Sequence, residues 1–315
     1  MWSIISSIFP YAIAFTIPLL ITALGGLFSE RSGVVNIGLE GLMVVGSFTG
    51  ALVIAMLEKS LPGYAIWIGL LAAMVAGGLF ALLHAFACIN LNANQIISGT
   101  AINMIAGSLT VYLARNITGS GNIHIVNGLS RKDIPLLVDI PIIGKLFFAQ
   151  TYASTWFVLL IVLASWFLLY RMVFGLRLRA CGEHPHAADA AGINVSVVRY
   201  IAVIISGAYA ALGGAVIIVT YSGEFNGSVA GLGFLALASL IFGQWKPLGI
   251  LGSTLFFGFA STVANVSQVI PGLASIPGII LKTFPYIATL IALVFFSKSS
   301  QAPKALGEPY DKGKR

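Results

Sequence analysis

Glu40 is the side chain with the most chemistry to offer, as the only ionisable group between Ser32 and Leu57 in a stretch dominated by Val, Leu, Ile and Gly. In a segment that crosses a bilayer, a charge at the centre costs about 2.5–3.5 kcal/mol on insertion scales. The carboxylate then faces protein or water, or carries a proton. Two uses stay open: bonding to nearby backbone to hold a helix break, or direct contact with a solute. Asn36 lies four residues earlier, and Gly38 and Gly41 permit a break or a close backbone approach. A second group, Asn90, Asn92, Asn94, Gln95, Ser98 and Asn103, collects where two apolar runs join. A carboxamide donates and accepts at once, which suits a sugar hydroxyl or a base edge and so an uncharged polar ligand. Asn103, more than a turn inside its apolar run, is the best of these to line a path; bonding between helices competes with that use. The expected pathway residues are Asn36, Glu40, Asn94, Gln95 and Asn103.

Catalysis finds no comparable set. His84, His124, His184 and His186 show no metal-ligand spacing with any cysteine or carboxylate cluster, so no metal site is expected. Cys88 and Cys181 form no redox or ligand pattern and suit packing. No Ser/His/Asp or paired-carboxylate arrangement suggests hydrolysis. A phosphate-cradling Gly-rich loop with a lysine is also missing, so ATP hydrolysis is not expected in this chain.

The elements that carry these residues are greasy. Hydrophobic residues make up 58% of the chain and charged ones 9%, against about 25% charged in an ordinary soluble domain. Mean hydropathy is +0.97. This composition implies an all-α polytopic membrane protein with about nine (8–10) spans. The net charge of +7 sits between apolar runs and in the tail, as for positive residues held on the cytoplasmic side, and does not imply nucleic-acid binding. Residues 1–297 form the expected membrane domain and 298–315 a cytoplasmic basic tail. The first eight residues lack a basic region and a cleavage site, so no removable signal is expected.

Apolar runs cover residues 10–27, 34–57, 63–89, 96–114, 152–174, 200–221, 231–242, 248–264 and 278–296. The run 231–242 is short for a crossing and suits a half-span. Residues 115–150 form the longest polar connection, in which 134–148 could lie along the membrane surface. Placing the basic loop 171–199 and the tail on the cytoplasmic side puts 115–150 and the N-terminus outside. Arg115, Arg131, Lys132 and Lys145 in that outer loop run against the bias. Gly231, Gly243 and Pro247 read as punctuation around Trp245 and Lys246, placed at the interface. Ala23-Leu24-Gly25-Gly26, Ser32-Gly33 and Asn36 echo Ala211-Leu212-Gly213-Gly214, Ser222-Gly223 and Asn226. That is the spacing of an inverted repeat, although Gly/Ala-rich sequence can repeat by chance.

Residues 175–192 form a polar island between two long apolar runs. Gly182 is expected to break the chain, Pro185 to open a short helix, 186–191 to propagate it and Gly192 to end it in the left-handed conformation. Such a helix presents only small side chains. It is either a solvated connector or a knob shaped for another protein's groove.

The pattern Gly-Leu-Arg-Leu-Arg-Ala-Cys-Gly-Glu-His-Pro-x-Ala-Ala from Gly175, with Gly192-Ile193 and Ser206-Gly207-Ala208 beyond it, resembles the coupling segment of ABC importer permeases. The group it resembles handles branched-chain amino acids, ribose and nucleosides. Asn36-Ile37-Gly38-Leu39-Glu40-Gly41, after Glu30-Arg31-Ser32-Gly33, looks closest to the nucleoside (basic membrane protein) branch. The resemblance covers nearly the whole chain. It implies a type II-like inverted-repeat fold and a cytoplasmic coupling segment at 175–193, with Gly182, Glu183, His184, Pro185, Ala187, Ala188 and Gly192 facing the ATPase. It also implies a separate ATPase that holds ATP and Mg, a second permease in a heterodimer, and a solute-binding protein or lipoprotein outside. Nucleosides are the first expected solute, then simple sugars, then branched-chain amino acids. The rival from another class is a secondary carrier with Glu40 as its proton or cation site.

Overall fold

A computed structural model describes residues 2–266 (side chains from residue 8), isolated positions between 278 and 291, and residues 301–311. The expected span over 278–296 and the boundary at 297 lie largely outside the described residues. The helices are α1 (Trp2–Arg31), α2 (Leu39–Leu57), α3 (Ala65–Ile89), α4 (Gln95–Thr118), α5 (Ala153–Arg171), α6 (Val173–Glu183), α7 (Pro185–Ala190), α8 (Val195–Ile217), α9 (Leu232–Phe242) and α10 (Pro247–Val266). Among the described residues, seven helices are long and apolar enough to cross a membrane. The protein is a mostly helical, multi-pass membrane protein.

Burial sorts the helices. The buried share of the most apolar window falls from 94% in α1 and 72% in α8 to 22% in α4, so α1 and α8 form the centre and α4 lies outside. Small residues set the closest approaches. A side chain on Gly46 would strike the Ala211 backbone, and one on Gly214 would strike the Met43 carbonyl. Lipid is as apolar as leucine, so close backbone contact is what holds such helices together.

The second apolar run does not start as a helix. Gly33 turns with φ +96°, and α2 begins only at Leu39, so residues 34–38 cross this level as open chain. The run 96–114 extends to Gln95–Thr118, because the Asn94 side chain caps its start and Gly119, with φ +74°, ends it. The half-span is short as expected: α9 has 11 residues, about 16 Å at 1.5 Å per residue.

The long connection after α4 is not one continuous helix; it holds a short helical turn at Gly144–Phe148. Ile123–His124 (β1) pairs antiparallel with Glu224–Phe225 (β2), and Glu58 accepts from the Val126 and Asn127 N–H groups at 2.9 and 3.3 Å. Phe147 packs on Phe9 with ring centroids 4.9 Å apart. Arg131 lies 3.9 Å above the Tyr11 ring and donates to the Tyr152 hydroxyl at 2.9 Å. One of the basic residues that ran against the charge bias is thus held by aromatic rings.

Candidate functional site

Three of the five expected pathway residues brace the open chain at 34–38. Gln95 Oε1 accepts from the Val35 N–H at 2.7 Å. Asn36 Nδ2 donates to Ser206 on α8 at 2.9 Å, while its Oδ1 accepts from the Gly38 N–H at 3.1 Å. Asn103 donates to the Ile37 carbonyl at 3.0 Å and accepts from the Gly41 N–H at 2.7 Å. His84, assigned no role from its sequence position, bonds the Val35 carbonyl through Nε2 at 2.9 Å and Ser98 through Nδ1 at 2.9 Å. A carbonyl only accepts, so the proton belongs on Nε2. Buried backbone polar groups need partners, and here side chains from α3 and α4, with Asn36 itself, supply what a helix ladder would have given. Asn94 stands apart, exposed, as the cap of α4.

Glu40 closes the same arrangement from the other direction. It lies in the first turn of α2, and its Oε1 and Oε2 accept from the Gly231 and Gly233 N–H groups at 2.9 and 2.6 Å. Those N–H groups open α9, where a helix leaves donors unpaired and favours a negative charge. Two helix starts therefore meet, with one carboxylate between them. In an Ala variant both donors lose their partner, at about 1–3 kcal/mol for each buried unsatisfied group. Glu40→Ala is expected to lower thermal stability sharply in detergent and Glu40→Gln less, since an amide keeps one acceptor oxygen. Size-exclusion profiles after stepwise heating check the order.

The second break repeats this geometry. Gly223 turns with φ +71°, and Asn226 Oδ1 accepts from the Ser228 N–H at 3.2 Å, as Asn36 does from Gly38.

The polar island becomes two short helices on one end of the bundle. The chain breaks at Met172, runs through α6 and breaks again at His184 (φ −153°, ψ 86°). Gly182 is not the breaker. It lies inside α6, where any side chain would strike the Arg31 carbonyl. His184 Nδ1 accepts from the Ala187 N–H at 3.1 Å, Pro185 opens α7, and Gly192 follows it with φ +81°. Gly182, Pro185 and Ala188 are buried; Glu183, His184, Ala187 and Gly192 are exposed. The outward face mixes the polar Glu183, His184 and His186 with the small Ala187 and Gly192.

Beneath it lies a cluster whose position no sequence signal marked. Trp245, expected at an interface, is buried, and its indole N–H donates to Glu30 at 2.6 Å. The Trp245 carbonyl accepts from Arg31 Nε and Nη2 at 3.0 and 2.8 Å. Arg199 is also buried, donating to the Ser32 carbonyl at 3.1 Å and the Glu308 carbonyl at 3.2 Å. Residues 301–311 return to this face: the Ala305 N–H donates to the Gly182 carbonyl at 2.9 Å and the Gly307 N–H to the Gly33 carbonyl at 3.1 Å. Burial pushes the neighbouring Cys181 thiol up, with the Arg199 guanidinium opposing.

With this geometry in hand, comparison with known proteins is specific. A family model described as the permease component of the branched-chain amino acid transport system matches residues 8–295. The chain is 47% identical over 314 residues to the guanosine ABC transporter permease protein NupQ of Bacillus subtilis, covering 99% of this chain and 98% of that one. It is 40% identical to the nucleoside ABC transporter permease protein NupC of Lactococcus lactis, with 95% of each covered. A more distant permease in each organism, NupP and NupB, matches at 26% and 24% over 76% and 91% of this chain. Among solved structures, an inward-facing transporter assigned to the metal-chelate ABC type shares the fold. Its TM-score is 0.52 at 18% identity, with 91% of this chain and 85% of that one covered.

Proposed function

The chain belongs to the family of permease components of the branched-chain amino acid transport system, and on that premise we propose that it forms part of the path for nucleosides in an ATP-driven importer. The observation that carries the solute is the 47% identity, end to end, with a permease named for guanosine. The subunit is a transporter component and not an enzyme. A separate ATPase binds ATP with Mg and closes on it. The exposed face of Glu183, His184, Ala187 and Gly192 takes up that movement, and Gly182, Pro185 and Ala188 pass it inward. Gly182 touches the end of α1, so displacement of α6 bears directly on the most buried helix.

Two permeases of unequal similarity in each of two organisms support a heterodimer with a second, related permease. A solute-binding lipoprotein delivers the nucleoside from outside. Nine crossings, with the tail cytoplasmic, account for the apolar runs. The matching turns at Gly33/Asn36 and Gly223/Asn226 support an inverted repeat. Asn36, Glu40, Gln95 and Asn103 act in this reading as the brace that keeps the break open, not as solute contacts. A proton-coupled carrier finds little support in Glu40, whose two oxygens each hold a backbone N–H.

Co-expression with its neighbouring genes tests the function. The expected result is a co-purifying ATPase whose turnover in nanodiscs rises with a nucleoside-loaded delivery protein. Uptake by this chain alone in vesicles would overturn the reading.

A further inference from the structure

We propose that a cavity at the far end of the bundle from α7 is a solute subsite of this permease, shaped for an uncharged, ring-bearing molecule of the purine nucleoside class. The solute class rests on the function proposed above; the site rests on the following geometry. The cavity has a volume of about 400 Å³ and lies between α1, the end of α8, the start of α9 and α10. Binding pockets for small molecules commonly hold roughly 300–1,000 Å³.

Three features mark it as more than a packing gap. The first is its floor: Phe15 and Tyr221 stack with centroids 4.4 Å apart at 24°, giving a flat aromatic surface. The second is its rim, where Ser222, Asn226, Ser228 and Asn265 bring hydroxyls and carboxamides to an otherwise apolar wall. The third is the backbone. At Ile218–Ser222 the last turns of α8 widen into a π-helix, and Ala230 takes φ +56°, a conformation that non-glycine residues seldom adopt. Both departures cluster at functional sites in other proteins.

The chemistry of the lining selects the solute. Among the described residues, no charged side chain lines the cavity. The N–H groups that open α9, which would otherwise attract an anion, are taken by Glu40. A zwitterionic amino acid would leave both its charges unpaired there, which is costly away from water. A nucleoside would stack its base on the aromatic floor and offer its ribose hydroxyls to the rim. Tyr221 adds a donor: its hydroxyl is buried with no hydrogen-bond partner among the described residues. Tyr221 lines the cavity, and an occupant that reached this hydroxyl would supply the partner it lacks.

That unpaired hydroxyl makes a clean test. Removing it by Tyr221→Phe takes no hydrogen bond from the protein, so a purely structural role predicts unchanged or raised thermal stability and unchanged solute behaviour. The assembled complex in nanodiscs, without delivery protein, is titrated with tritiated guanosine, and uptake is measured in parallel with the complete system. Tyr221→Phe is expected to weaken guanosine binding by about threefold or more, as for one lost hydrogen bond, at an undiminished melting temperature. Tyr221→Ala, which also removes the stacking surface, is expected to weaken it by about tenfold or more. Guanosine uptake by wild type with equal binding by wild type and Tyr221→Phe overturns the subsite and leaves the proposed function standing. A wild-type complex that imports no nucleoside overturns the proposed function, and the subsite with it.

Discussion

Uptake is expected to fall to background in an Ala187→Trp variant that still folds, inserts and purifies normally. Ala187 points outward on α7, while Pro185 and Ala188 below it are buried. An indole at this position therefore disturbs nothing inside the chain. It disturbs whatever seats on the exposed face, where an oversized group in a close-fitting contact costs about 1–3 kcal/mol. That corresponds to roughly a five- to 150-fold loss of affinity, so retention of the ATPase on an affinity column should fall with uptake. Ala188→Trp makes the contrast, since it collides within the chain and should lower stability as well. Wild-type uptake and ATPase retention in Ala187→Trp would remove α7 from the coupling mechanism and bring the secondary carrier back into play.

The largest expected effect on stability is at the crossing of α2 and α8. Glycine in a helix is intrinsically worse than alanine by up to about 1 kcal/mol, so Gly→Ala in a helix stabilises wherever space allows. At Gly214 space does not allow it, because the new methyl group would meet the Met43 carbonyl and the two backbones must separate. Overpacking costs about 1–3 kcal/mol or more and outweighs the propensity gain. Gly214→Ala is expected to lower the melting temperature and Gly214→Val to leave no folded protein. Gly107→Ala and Gly252→Ala, with open space where the methyl would go, are expected to be neutral or stabilising. Thermal melts of the three alanine variants, with the recovery of folded Gly214→Val, distinguish steric crowding from a general intolerance of glycine replacement.

Local patterns in the sequence were legible where a local cause shaped the structure. Pro185 and Gly192 bracket α7 because a fixed φ suits a first turn and a left-handed residue suits a last one. The half-span at α9 followed from the length of its apolar run. Residues 34–38 could not be separated from α2, because no local residue forces that break alone. Partners 49 to 170 positions away hold it, and a residue's type gives its bonding capacity without naming its partner. For the same reason the carboxamides were visible as an interior polar set, while their use on backbone was not. The β1–β2 pairing left no trace, since strands of two residues carry no periodicity. Glu30-Arg31 follows the first apolar run with no sign of a partner, and only the fold brings Trp245 over it.

The return of residues 301–311 sets the order in which this protein can be completed. The chain that reaches the Gly182 and Gly33 carbonyls and the Arg199 guanidinium is synthesised after every described span. A ribosome that stalls or a protease that cuts just before residue 301 therefore leaves a molecule whose described spans are all made but whose face around Gly33, Gly182 and Arg199 is unsewn. Assembly with a motor subunit can thereby be reserved for full-length copies, without any separate inspection.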